Sequence, residues 1–120
     1  MKIDFITIFT NDLKASVDFY ANNLNFEVER KFSPAPGIDI VFLNDKHGNK
    51  IEFIQNEKEK PFSGHGISIG FYVDDIRVVE KNLREKGIQI LRGPIEMKSG
   101  VTMLYIKDNN GLELAFVQEK

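Results

Sequence analysis

The hydrophobic pattern changes its period along the chain and then repeats. Residues 2–10 are dense in β-formers (Ile3, Phe5, Ile6, Ile8, Phe9), which predicts a strand. Asn11 and Asp12 are N-cap residues. After them Leu13, Val17, Tyr20 and Leu24 recur at helical spacing, so a helix is expected there. A strand is expected over residues 26–32. Ser33-Pro34-Ala35-Pro36-Gly37 reads as a loop, because two prolines and a glycine interrupt a ladder. Residues 38–44 and 50–55 read as strands joined by the tight turn Asp45-Lys46-His47-Gly48. The charged, Pro- and Gly-bearing stretch 57–65 reads as a linker. Beyond it a strand is expected over 66–73. A helix carrying Ile76, Val79 and Leu83 follows, capped by Asp74-Asp75 and ended at Gly87. Three further strands are expected, over 88–91, 101–107 and 112–118, the last after the turn Asp108-Asn109-Asn110-Gly111.

One register relates the two halves. Asp12 matches Asp75 and Gly48 matches Gly111, each 63 positions apart. At the same shift Ile51, Phe53, Ile54 and Gln55 lie over Leu114, Phe116, Val117 and Gln118, and Phe42 lies over Tyr105. We read the chain as an α+β fold built from tandem βαβββ modules, residues 1–56 and 66–120, in one domain spanning 1–120. Each module has a single helix, which can cover only one face of its sheet. Strand alternation sends Ile6, Ile8, Ile51 and Phe53 towards Leu13, Val17, Tyr20 and Leu24. Phe5, Thr7, Glu52 and Ile54 then face the uncovered side. In the second module Ser68, Gly70, Tyr72, Ala115 and Val117 do so. Mixed, curved sheets with bare semi-apolar faces are expected to enclose a concave cavity for a small molecule.

Composition narrows the chemistry. With 42% apolar and 28% charged residues in 120, the chain reads as globular and not disordered. The absence of cysteine excludes disulfides, thiolate metal sites and cysteine nucleophiles. The two histidines, His47 and His65, are too few for a three-histidine metal site within one chain. A net charge of −2 gives no reason to expect a nucleic-acid or membrane-surface partner. No apolar run is long enough to span a bilayer, and the N-terminus lacks a signal-peptide core. A cytoplasmic address is expected.

Three segments of the first half carry a known pattern: the strand running into Asn11-Asp12-Leu13, the helix exit Phe19-Tyr20-Ala21-Asn22-Asn23-Leu24-Asn25-Phe26, and the turn Asp45-Lys46-His47-Gly48-Asn49 leading to Glu52. Phe71-Tyr72-Val73-Asp74-Asp75-Ile76 and Asp108-Asn109-Asn110-Gly111 repeat it in the second half. Together they resemble the vicinal oxygen chelate superfamily, which includes glyoxalase I, bleomycin-resistance proteins, fosfomycin-resistance enzymes and extradiol dioxygenases. The resemblance covers nearly the whole chain. It implies the fold and a homodimer, but no single reaction, because the fold hosts many chemistries.

Metal enzymes of that superfamily use ligands from the first and last strand of each module. Those slots fall here on Phe5, Glu52, Ser68 and Ala115. Only Glu52 is an ordinary ligand, so no metal and no other cofactor is expected. Glu52 becomes a binding carboxylate or a tentative catalytic base. Phe42 and Tyr105 sit where the resemblance implies pocket-lining residues. With Phe5, Thr7, Ser68, Tyr72, Met103 and Ala115 they complete the expected ligand-binding set. Two functions compete: a metal-free binder of an apolar or aromatic small molecule, resembling bleomycin-resistance members, and a metal-dependent glyoxalase-like lyase or dioxygenase. Arg30, Lys31 and Arg92, at strand ends, read as surface residues able to steer an anionic ligand.

Overall fold

A computed structural model describes residues 1–120 as two compact units, Met1–Ser63 and Gly64–Lys120. The first contains β1 (Phe5–Phe9), α1 (Leu13–Asn23), β2 (Glu27–Ala35), β3 (Ile38–Asn44) and β4 (Lys50–Asn56). The second contains β5 (Ser68–Tyr72), α2 (Ile76–Glu85), β6 (Arg92–Glu96), β7 (Thr102–Lys107) and β8 (Glu113–Gln118). The sheets have the same topology, β1-β4-β3-β2 and β5-β8-β7-β6. The outer pairs β1–β4 and β5–β8 are parallel and the remaining pairs antiparallel. The tandem βαβββ α+β fold is therefore present. No helix is long and apolar enough to cross a membrane.

Each helix begins the same way, for the same reason. The first backbone N–H groups of a helix lack intrahelical acceptors, so side chains must supply them. Asp12 Oδ1 accepts from Ala15 N at 3.0 Å, and Asp75 Oδ1 accepts from Arg77 N at 3.0 Å. The last strand of each sheet adds a second acceptor. Gln55 Oε1 takes Leu13 N, and Gln118 Oε1 takes Ile76 N, both at 2.7 Å. The identical Gln at the 63-residue shift is thus the tie between helix start and sheet in each unit. In the first unit a buried Ser16 hydroxyl adds a bond to Thr10 Oγ1 at 3.0 Å, a polar contact inside the helix–sheet seam.

The cores follow the alternation. In the first unit Tyr20 is fully buried, with its ring centroid 5.2 Å from that of Phe53 and 5.4 Å from that of Phe26. Leu43, Ile51 and Val41 complete that side of the sheet. In the second, Leu83 of α2 packs with Leu104, Ile106 and Leu114. Ile6 departs from expectation: it is 44% exposed. Helix α1 packs over β3 and β4, leaving the start of the edge strand β1 uncovered.

Two strand assignments are corrected. The segment 33–35, expected in a loop, continues β2 to Ala35. The ladder slips between Phe32 and Ala35, so Pro34 lies at a bulge on an edge strand, where its missing N–H removes no sheet bond. The Ser33 hydroxyl donates to Ile38 O at 2.6 Å and bridges the gap. Likewise, residues 88–91 are not a strand. The ladder is β6, Arg92–Glu96, with a register shift between Arg92 and Ile95 that accommodates Gly93 and Pro94. Residues that usually break a strand mark bulges in both places. The ordered strands are also shorter than expected at the starts of the two units, beginning at Phe5 and Ser68.

The two turns share a carboxylate at their first position. Asp45 accepts from His47 N, Asn49 N and Asn49 Nδ2. Burial pushes its carboxyl upward, but these hydrogen bonds outweigh it and hold the group below the ordinary value of 3.8. Asp108, itself buried, accepts from Asn110 N and Leu112 N. His47 is exposed in its turn and His65 is exposed between two glycines.

Candidate functional site

The helix-free face of the first unit carries the polar chemistry. Across the strands, Thr7, Glu52, Phe42 and Arg30 stand in one row, since Thr7 and Phe42 both pair with Glu52 and Arg30 pairs with Phe42. The Thr7 hydroxyl donates to Glu52 Oε1 at 2.5 Å. Glu52 forms no ion pair, and the Thr7 hydroxyl is its one side-chain hydrogen-bond donor. Phe42 is the buried member of this row. The Phe5 ring meets it edge-on at 5.4 Å, and the Phe32 ring stacks beside it at 6.4 Å. Phe5 and Phe32 are each about two-fifths exposed, at 44% and 40%, and so form the accessible aromatic surface.

Alternation puts Phe5, Thr7 and Glu52 on one face and the resemblance adds Phe42 as a pocket-lining residue; the register brings all four together. Sequence reasoning set aside Arg30. The guanidinium carbon of Arg30 stands 4.8 Å from the Phe42 ring centroid and 5.1 Å from that of Phe32, a cation–π roof over the aromatic floor. Phe42 is accordingly the floor of the face and not its surface. The missed signal lay in the repeat. Arg92 occupies the same place in the second unit, paired with Tyr105 as Arg30 is with Phe42. The two arginines are 62 residues apart, one short of the shift that aligns everything else, because the bulged strands slip by one position.

In the second unit the corresponding face is quieter. Ser68, Gly70 and Tyr72 of β5 run beside Ala115 and Val117 of β8. Ala115 is buried and Ser68 exposed. The Tyr105 hydroxyl donates to Met103 Sδ at 3.3 Å, so it is engaged within its own strand. Tyr72 is 67% exposed and its hydroxyl donates to Asp74 Oδ1 at 3.1 Å, an interaction that holds its pKa above the ordinary phenol value. The Arg92 guanidinium carbon lies 4.0 Å from the Tyr105 ring centroid, and its Nη2 donates to Glu113 Oε1 at 2.5 Å.

The donor set does not suit a divalent metal. No group of three or more His, Cys, Asp or Glu side chains is gathered anywhere in the chain. At the four slots named above, Phe5 and Ala115 offer no side-chain donor, and Glu52 Oε1 already accepts the Thr7 hydroxyl. A separate open groove of about 700 Å³ lies on the helix side of the first unit, between α1 and the far end of the β2–β3 hairpin. Leu13, Val17 and Val41 line it, with Lys14 and Asp18 paired at its edge at 2.6 Å. It shares no polar side chain with the Thr7–Glu52 face.

This architecture is that of a tandem βαβββ protein with helix-free sheet faces. The chain belongs to the Glyoxalase/Bleomycin resistance protein/Dioxygenase superfamily, whose family model matches residues 2–116. It is 28% identical over 114 residues to a probable lactoylglutathione lyase from Synechocystis sp., covering 89% of this chain and 87% of that protein. Among solved structures, the glyoxylase/bleomycin resistance protein/dioxygenase domain from Frankia sp. EAN1pec superposes with a TM-score of 0.84 at 14% identity, over 100% of this chain and 93% of that one. The antibiotic binding protein TnmS3 from Streptomyces sp. CB03234 gives 0.81 at 16% identity, over 100% and 97%. At these identities the structural likeness carries the fold alone.

Proposed function

We propose that this protein binds an apolar or aromatic small molecule against its helix-free sheet faces and does so without a metal ion. The supporting observation is the first unit's face: an aromatic surface around one carboxylate, with no three-donor set beside it. Glu52 is the polar anchor, and Thr7 orients it by occupying one oxygen. Phe5 supplies contact area and Phe42 the packed floor beneath. On the second unit's face we assign contact roles to Ser68, Tyr72, Met103, Tyr105 and Ala115. The likeness in fold to an antibiotic binding protein supports the same reading. The proposed working form is a cytoplasmic homodimer with no nucleic-acid or membrane partner, consistent with the net charge of −2.

The similarity to a probable lactoylglutathione lyase favours a second reading, a metal-dependent glyoxalase-like lyase or dioxygenase in which Glu52 would be the one recognisable ligand and tentative catalytic group. Metal content separates the two. Elemental analysis of the purified protein is expected to find no stoichiometric divalent metal. About one Ni, Zn, Mn or Fe per chain, lost on Glu52→Ala, would establish the enzyme reading instead.

A further inference from the structure

The two units contain the same guanidinium-on-ring stack with different electrostatics. Arg92 over Tyr105 is neutralised by its own sheet: Glu113, on the next strand, accepts its Nη2–H. The position equivalent to Glu113 in the first unit is Lys50, 63 residues earlier. Lys50 is itself a cation and lies 3.8 Å from Glu29. The Arg30 guanidinium therefore has no carboxylate within ion-pair distance and makes no hydrogen bond, although it is held over two rings. The second unit is an internal control. It shows the same stack with its charge answered inside the fold, so packing a guanidinium on the ring does not require an open charge.

We propose that Arg30 is the specificity-determining residue of the first unit's face and selects a ligand with an acidic group on an aromatic body. The assignment deepens the small-molecule reading and rests on it. A guanidinium stacked on rings keeps its in-plane N–H donors directed outward, the arrangement that fits a carboxylate or similar oxyanion. It stands over the exposed ring of Phe32, and Phe5 lies against the far side of Phe42, so the ligand's aromatic body has a surface beside the charge. Glu52, two strands away in the same row, lies about 10 Å from the Arg30 backbone at ordinary strand spacing. The acid is thus received at the Arg30 end, and the Glu52 end repels a second anionic group.

The test uses a matched pair of probes on the full chain, 2-naphthoate and the neutral 2-naphthamide, titrated with amide-resolved NMR. Wild type is expected to bind naphthoate about fivefold more tightly than naphthamide, with shifts centred on Phe5, Phe32 and Phe42. Arg30→Gln should bring the two probes to equal affinity, and Arg30→Lys, which keeps the charge but not the planar fork, should recover part of the preference. Equal affinities in wild type, or a preference that survives Arg30→Gln, would overturn the assignment while leaving the face a binding surface. If neither probe shifts any residue of the face, the small-molecule reading fails and the assignment with it. Loss of the dimer in Arg30→Gln, measured by sedimentation, would also overturn it, because the answering carboxylate would then come from a second copy of the chain.

Discussion

Tyr20→Ala is expected to destabilise the protein by about 3–5 kcal/mol, the cost typical of deleting a large aromatic from a packed core. Tyr20 is the residue of α1 that reaches deepest, at 0% exposure, and its ring touches Phe19, Phe26 and Phe53. Its backbone carbonyl also receives Leu24 N and Phe26 N, which turn the chain out of the helix into β2. The substitution would leave a cavity bounded by a sheet that cannot close on it, since β4 is paired on both sides. Tyr20→Phe keeps the ring and is expected to retain most of the stability. Urea unfolding followed by far-UV circular dichroism measures the difference. A loss below about 1 kcal/mol for Tyr20→Ala would mean that this cluster is not the core of the first unit.

Gly93→Ala has the second largest expected effect, about 2–4 kcal/mol, concentrated in the second unit. Gly93 has a φ of +93°, a backbone conformation that side-chain-bearing residues rarely adopt. A Cβ there would stand 2.5 Å from Met103 O and 3.2 Å from both Ile95 N and Leu104 Cα. All three contacts are backbone atoms, so relief requires β6 to move away from β7. Gly111 and Gly70 calibrate the result. At Gly111 φ is +82° but nothing lies within 4 Å, so Ala should cost about 1 kcal/mol of strain alone. At Gly70, in β5, the space is open and φ is not positive, and Ala should change stability by less than about 0.5 kcal/mol. The ranking Gly93, Gly111, Gly70 in thermal melts checks the bulge geometry.

The fold was legible where a residue type had one physical meaning. Asp12 and Asp75 announced helix starts because an orphaned N–H demands an acceptor, and both accept one. Gln55 and Gln118 were visible as identities in the repeat, but their task, tying Leu13 N and Ile76 N to the sheet, needed the fold. Period-2 alternation places Thr7 and Glu52 on the same uncovered face, and the register adds Phe42 to their row. It failed at Ile6, where side alone does not reveal how far the helix extends. It also failed at residues 33–35, where two prolines and a glycine read as a loop, and at β6, where the strand is expected over 88–91 and lies at Arg92–Glu96. In the edge strands β2 and β6 proline and glycine mark bulges, because an unpaired strand edge tolerates the lost N–H. That slip hid the equivalence of Arg30 and Arg92, and with it the residue that distinguishes the two faces.

The roles of the side chains were less visible than their places. Tyr105 was expected to present its hydroxyl to a ligand, whereas Met103 receives it. Phe42 is expected to line the pocket, and in the structure it is buried with Arg30 roofing it. In both cases the partner sits at a distance set by cross-strand register and rotamer, neither of which is encoded by alternation.

The central claim is that the helix-free face binds aromatic ligands without a metal. The melting-temperature shift produced by a panel of aromatic compounds, recorded in chelator and again with added Ni, Zn or Mn, tests it most directly. Compounds that raise the melting temperature are expected to do so equally in chelator, and Glu52→Ala is expected to change their effect. Shifts that appear only with added metal and vanish in Glu52→Ala would contradict the claim.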